Sequence, residues 1–390
     1  MTFESIFKDA HEKNISFCPY RVCPLGAHVD HQFGKVTGFA LDKGITIEYC
    51  PTEDGTVEAV SRDMQGKKEF SVLKVKSKVG DWADHLRGVV RVLNNNGYQL
   101  TRGVKCLISG SLPIGGLSSS ASVIIAFLQA ICKVNEIELE PKDIIVLAQQ
   151  VENNYVGVSC GTLDQSCEVY SKKDHLLYLD TLDGTYKLLE QNKNMPEYEI
   201  GIFFSGVPRS LAGTKYNMRV DECRAAAYYL YAITGREYGK FHEAYLRDID
   251  YDVFRKYADK LPINWRKRAE HYFSEQQRVE RGAKLWLKGD IAGFGRLVFE
   301  SGGSSINSYE TGSPELKTLY DAMRSTDGIY GGRFSGAGFK GCCMALIDPA
   351  YKDEISRSIT DKYLSKFPEL KDAFSIHYCK TADGVIHINI

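Results

Sequence analysis

Residues 110–121 read GSLPIGGLSSSA, a double glycine and three consecutive serines set between two apolar stretches. Val104 to Ser109, just before it, has the composition of a strand, and Ser119 to about Val134, just after it, reads as an apolar helix. A strand–turn–helix of this kind can seat an anion. Gly115 and Gly116 reach backbone conformations closed to other residues and let a ligand approach the main chain. The helix start behind them leaves N–H groups unpaired at the positive end of the helix dipole. Ser118, Ser119 and Ser120 add hydroxyls suited to phosphate or a metal ion. A plain turn with a serine N-cap needs only one of them. Pattern alone leaves both readings open. No lysine follows the last glycine, so the stretch is not a Walker-type loop.

Outward from this stretch the chain is a mixture of strands and helices. Ile45 to Cys50 alternates as a half-buried strand does, and Val57 to Val60 and Phe70 to Val75 read as shorter strands. Asp81 to Leu93 has helical spacing and stops at Asn94-Asn95-Asn96-Gly97; Asp143 to Asn153 also reads as helix, and Val169 to Leu179 as strand and turn. The chain turns polar at 191–194, which divides it into residues 1–195 and 196–390. The second part opens with a strand, Glu199 to Phe204, and carries long helices over Val220 to Thr234 and Trp265 to Lys288. It closes with a helix around Tyr351 to Phe367 and a strand from Gly384 to Ile390. The expected class is α+β in two lobes.

A second glycine cluster, Gly336, Gly338 and Gly341, fits G-x-G-x-x-G. The dinucleotide fingerprint needs a strand before it, but here the strand CCMALID follows, so that reading fails. What remains is a tight turn, or a loop packed against the phosphate stretch from the other lobe.

Composition limits the function classes. The 390 residues are 43% hydrophobic and 25% charged, as in folded globular proteins, and are too many for one ordinary core. A net charge of -1 gives no global field for nucleic acid or an anionic membrane. No signal-like leader or membrane-length apolar run is present, so a cytoplasmic protein is expected. The 11 cysteines are scattered without zinc-like spacing, as free thiols in a reducing compartment would be.

Two polar clusters complete the picture. Residues 18–42 read CPYRVCPLGAHVDHQFGKVTGFALD and crowd Arg21, His28, Asp30 and His31 around Pro24 and Gly26. A metal site on His28, Asp30 and His31 lacks a second ligand cluster, whereas carboxylates and imidazoles suit vicinal sugar hydroxyls. Asp164 lies in the nearly uncharged stretch from Val156 to Cys167; a helix-capping role is the plain alternative.

Together these segments resemble the GHMP kinases, most closely the galactokinases. RVCPLGAHVDH at 21–31 resembles the galactokinase signature R-V-N-L-I-G-E-H-x-D-Y, and residues 113–121 resemble the phosphate loop. VSCGTLDQ at 158–165 is similar to P-C-G-I-M-D-Q, GIYGGRFSGAGFKGC at 328–342 to the third motif, and SGVPRSLAGTKY at 205–216 to a sugar-side segment. The order matches across nearly the whole chain. The resemblance implies a ribosomal-S5-like N-terminal lobe and a ferredoxin-like C-terminal lobe, with the active site between them. It implies ATP and Mg²⁺ as cofactors, a sugar substrate, no nucleic acid or membrane partner, and a monomer or weak oligomer. By position, Asp164 is the implied catalytic aspartate and Arg21 its partner, keeping it ionised. Gly115, Gly116, Leu117, Ser118, Ser119, Ser120 and Ala121 fall on the ATP loop, and Ser120 and Glu152 on the Mg²⁺ ligands. Ala27, His28, Asp30, Gly161 and Tyr216 fall on sugar-contact positions.

Two departures bear on the substrate. The phosphate loop is one residue shorter than P-L-G-x-G-L-S-S-S-A. The glutamate of G-E-H-x-D, which the resemblance places on the sugar's C6 hydroxyl, is Ala27 here. Losing such a bond costs about 1.5–3 kcal/mol and disfavours galactose. A C6 carboxylate would be repelled by glutamate but not by alanine. The segment PLGAHVDH is similar to the galacturonokinase variant of the family, so galacturonate phosphorylated at C1 is the expected reaction. Lys215, Arg209 and Lys43 are the expected partners of its carboxylate. The rival readings are a galactokinase that tolerates Ala27, a non-catalytic sugar sensor, and a kinase for another small alcohol.

Overall fold

The computed structural model describes residues 1–390 apart from 9, 11, 76, 208–214, 238, 389 and 390. Its strands in chain order are β1 (Asn14–Val22), β2 (Lys35–Thr52), β3 (Thr56–Ser61), β4 (Lys68–Ser71), β5 (Gly103–Gly110), β6 (His175–Asp180), β7 (Tyr186–Glu190), β8 (Glu199–Phe204), β9 (Ile329–Phe334), β10 (Cys342–Ile347), β11 (Ser375–Cys379) and β12 (Thr381–Ala382). They form two sheets. The first runs β4-β3-β5-β2-β6-β7, with β1 and β12 also paired to β2; the second runs β11-β8-β10-β9.

The 18-residue β2 organises the first sheet. Lys35 to Gly38 pair with β6, Ile45 to Thr52 pair with β5, and β1 runs antiparallel along the remaining edge. Sequence patterning predicts only Ile45 to Cys50 as strand, because β2 exchanges partners along its length and is buried on both faces over part of it, which erases the alternation. Gly38 has a packing role. A Cβ there would meet Cys167 Sγ at 2.0 Å, so only glycine lets the helix Leu163–Tyr170 lie directly on β2.

The helix Ser119–Val134 packs on β1 and β2, burying Ile124, Ile125, Phe127, Leu128 and Ile131. Each such side chain contributes about 1.5–3 kcal/mol relative to exposure. In the second sheet β10 shows a period of two. Cys343, Ala345 and Ile347 join the core under the helices Pro314–Arg324 and Lys352–Leu364, while Cys342, Met344 and Leu346 join the larger core on the other face. The 26-residue helix Ile263–Lys288 anchors Trp286, whose indole N–H donates to Leu189 O at 3.0 Å.

Three expectations need correction. The strand read at Gly384 to Ile390 is instead a 3₁₀ turn, Val385–His387, with 389 and 390 outside the described residues. Gly384 donates its N–H to Ser171 O at 2.6 Å and packs against the Val169 backbone, which turns the chain away from any sheet; the strand, β12, comes earlier. The helix read over Asp143 to Asn153 is α-helical at Pro141–Gln150 and then widens into a π-turn over Val151–Val156. The segment Phe70 to Val75 keeps strand structure only through Ser71. All 11 cysteines are free thiols, and no described helix is long and apolar enough to cross a membrane.

Candidate active site

The two glycine clusters meet. Gly115 and Gly116 adopt φ of 140° and 87°, and Gly336 and Gly341 adopt 68° and 104°, all values that favour glycine. A Cβ on Gly341 would lie 2.8 Å from Gly115 C, and one on Gly336 would lie 3.0 Å from Gly116 Cα. The loop before β10 is therefore seated backbone to backbone on the phosphate stretch. Beside this seam opens a cleft of about 730 Å³.

Ser118 stands at the N-cap position of the helix Ser119–Val134, yet its hydroxyl does not cap it. Its φ is 59°, left-handed for a non-glycine residue, and its Oγ donates to Asp164 Oδ2. The serine-cap reading of this stretch thus fails, because the hydroxyl is turned toward a carboxylate 46 residues away. The other Asp164 oxygen takes the buried Arg21: Nε donates at 2.8 Å and Nη2 lies at 2.6 Å. Local strand geometry aims that guanidinium. The β1–β2 register shifts between Pro19 and Arg21, a bulge at the end of β1. There the Arg21 N–H donates to Leu117 O at 3.4 Å, and Arg21 Nη1 donates to Gly116 O at 3.3 Å. Burial works against the Arg21 charge, but the Asp164 carboxylate more than offsets it and raises the guanidinium above its usual range.

Across the serine turn, Ser120 Oγ donates to Glu152 Oε1 at 2.8 Å, and Gln165 Nε2 donates to Oε2 at 2.5 Å. Glu152 is buried and sits in the π-turn, which lets a helix-borne carboxylate reach the serine.

The far wall holds the Ala27–Asp30 segment. Asp30 is buried, and burial first, then the charge of Asp164, pushes its carboxyl up to about 6. Gly161 fits under it: a Cβ there would lie 2.6 Å from Asp30 Oδ2. His28 has φ 61° and stacks on Tyr309 with centroids 4.5 Å apart and planes at 6°. Its Nε2 is buried without a hydrogen-bond partner among the described residues, and burial, then Arg333, hold the ring well below its ordinary pKa. His28 is thus a neutral imidazole with a vacant polar nitrogen at the cleft. His31 points elsewhere, bonding Tyr309 Oη at 2.9 Å, and no metal-binding group of His, Cys, Asp and Glu forms among the described residues. Ala27 lines the cleft, and its carbonyl accepts from His271 Nε2 at 3.0 Å.

Residues 84–172 match the family model "GHMP kinases N terminal domain", and residues 283–365 match "GHMP kinases C terminal". An Arabidopsis thaliana protein named galacturonokinase is 35% identical over 382 residues, covering 93% of this chain and 89% of its own. The chain belongs to the GHMP kinases. A Clostridium acetobutylicum galactokinase is 34% identical over 394 residues, covering 99% and 97%. The solved Lactococcus lactis galactokinase, in complex with galactose, superposes with a TM-score of 0.89 at 27% identity, covering 98% and 97%. A Methanococcus jannaschii mevalonate kinase shares the fold at a TM-score of 0.65 and 16% identity. This GHMP kinase is a sugar kinase, a phosphotransferase.

Within the GHMP kinase cleft, Arg21, Ala27, His28, Asp30, Gly116, Ser118, Ser120, Glu152, Asp164 and Tyr216 come together as lining residues. Leu117 and Ala121 are buried in the core and do not line the cleft. Ser119 opens the helix beside them, and Gly115 is taken up by the seam with Gly341. Lys215 lines the cleft. Lys43 does not: it lies on β2 with Nζ 3.6 Å from Asp42. Arg209 lies outside the described residues. Sequence reading passed over Tyr309, hidden in a Ser/Gly/Asn-rich run, and Lys340, which stands inside the third motif in plain view.

Proposed function

We propose that this kinase transfers the γ-phosphoryl group of ATP to the C1 hydroxyl of D-galacturonate. One observation carries the reading: Asp164 is held between Arg21 and Ser118, at the point where the phosphate turn meets the sugar-side wall. A C1 hydroxyl bonded to Asp164 faces the phosphate turn in line. Its oxygen attacks the γ-phosphorus, the bond to ADP breaks, and the hydroxyl proton leaves along its bond to Asp164. Arg21 offsets the charge that builds there. Asp30, Tyr216 and the vacant His28 Nε2 take ring hydroxyls.

Ser120 and Glu152 are the proposed Mg²⁺ ligands, and their paired hard oxygens beside the helix start fit that ion. Bound Mg²⁺ would supply charge neutralisation to the terminal phosphates. Glu152→Gln keeps the shape and removes the charge. The expected result is a Mg²⁺ requirement raised about tenfold, with the sugar KM unchanged, read by titrating Mg²⁺ at fixed ATP.

Identity values do not choose the sugar, since a galacturonokinase and a galactokinase lie one per cent apart. The support for galacturonate is the uncharged Ala27 in the cleft wall, where the family resemblance puts a glutamate, with Lys215 available to the C6 carboxylate. A coupled ADP-release assay decides. The expected kcat/KM on galacturonate exceeds that on galactose by about tenfold or more, the worth of one charge-assisted bond. Preference for galactose overturns the uronate reading, and turnover of neither sugar overturns the C1-kinase reading.

A further inference from the structure

A nucleoside triphosphate brings several negative charges into a seat that, in this chain, is itself acidic. Residues 110–121 contain no lysine or arginine. The two serines on the turn whose hydroxyls bond side chains face carboxylates, Ser118 toward Asp164 and Ser120 toward Glu152. Among the described residues, both guanidinium groups on the cleft wall are already committed. Arg21 is paired with Asp164, and Arg219 with Glu222 at 2.9 Å and Glu310 at 3.7 Å. Lys215 also lines the cleft, and the proposed function assigns it to the sugar's C6 carboxylate.

Lys340 is different. It lines the cleft, is exposed, and forms no ion pair or hydrogen bond among the described residues. Its position is fixed by its neighbour. Gly341, at φ 104°, lies against Gly115, and a Cβ on Gly115 would come within 3.1 Å of Gly341 Cα. Consecutive Cα atoms are about 3.8 Å apart, so Lys340 is tethered one residue from the phosphate turn. Gly336 and Gly338, at φ 68° and 73°, give the loop the shape that holds it there. A flexible four-carbon stem with a terminal ammonium suits a mobile phosphate chain.

We infer that Lys340 binds the terminal phosphates of the nucleotide, supplying from the second lobe the cation that the phosphate turn lacks. The inference rests on the kinase assignment and not on which sugar is used. The test is Lys340→Met beside Lys340→Arg, with Lys43→Met as a charge-matched control away from the cleft. For Lys340→Met, KM for ATP and Kd for ADP should each rise about tenfold, the worth of one charged hydrogen bond. AMP binding and the sugar KM should stay within about twofold, since neither involves the terminal phosphates. Lys340→Arg should restore most of the nucleotide affinity. An unchanged ATP KM and ADP Kd in Lys340→Met overturns the inference. So does a change confined to the sugar KM, which would place the ammonium on the sugar instead.

Discussion

Asp164→Asn is expected to lower kcat by about 10³-fold or more, the upper part of the range for a positioned proton acceptor. The amide keeps the size of the side chain and can still meet Ser118, so the loss is not one of shape. What disappears is the acceptor for the C1 proton and the counter-charge of Arg21. Arg21 is nearly sealed, with 5% of its side chain exposed, while Asp164 is 23% exposed. Breaking this pair strands a buried guanidinium and should destabilise the fold by about 3 kcal/mol, at the low end for buried pairs because water reaches Asp164. The two effects separate in Arg21→Met/Asp164→Asn, which removes both charges. Its melting temperature should recover toward the parent value while turnover stays lost. ADP binding by calorimetry checks that the nucleotide side survives in the single variant. If Asp164→Asn retains more than a tenth of the parental kcat, Asp164 does not have the proposed role.

Ala27→Glu is expected to reverse the sugar preference, lowering kcat/KM on galacturonate by up to about a thousandfold while raising it on galactose. Ala27 lies on the cleft wall with His28 and Asp30. A glutamate there meets a C6 carboxylate as a like charge, and two unit charges 4 Å apart interact by about 4 kcal/mol at an effective dielectric of 20. A C6 hydroxyl instead gains an acceptor. Asp30 sharpens the contrast, since its carboxyl is already pushed up to about 6 by burial and a new neighbouring anion adds to the strain on any third one. Competition between the two sugars in one reaction measures the ratio directly. An Ala27→Glu enzyme that still prefers galacturonate would mean that the preference is set elsewhere, with Lys215 the next residue to replace.

How much of this was legible in the sequence depends on the range of the interaction. The helix Ser119–Val134 is legible with its end only approximate, because an apolar run behind a glycine turn is a local signal. The rejection of a dinucleotide fold was equally local, and the alternative of a loop packed on the phosphate turn is what Gly336 and Gly341 do. The approach of Arg21 to Asp164, 143 residues apart, followed from family resemblance; no spacing rule reaches that far. The bulge at Pro19–Arg21 that aims the guanidinium is a property of paired strands and is invisible in either strand alone. Gly38 carries no sequence signal of its own, since Cys167, which lies against it, is distant in the chain. Tyr309 sits in a run with no motif to mark it, and its ring acquires meaning only as the plate beneath His28.

The tail has a consequence for how the molecule is made. Thr381 and Ala382 pair with Leu41 and Ala40 of β2, and Thr381 Oγ1 accepts from Asp174 N at 3.0 Å. The layer that carries the phosphate turn is therefore closed by residues translated some 340 positions after the ones they meet. A nascent chain leaving the ribosome holds β2 with one edge at Ala40 and Leu41 unpaired until residue 382 has emerged, the other edge being covered by β1. Severing the molecule near residues 191–194 would leave its first half in the same unfinished condition, with a sticky strand edge and an incomplete seat for ATP.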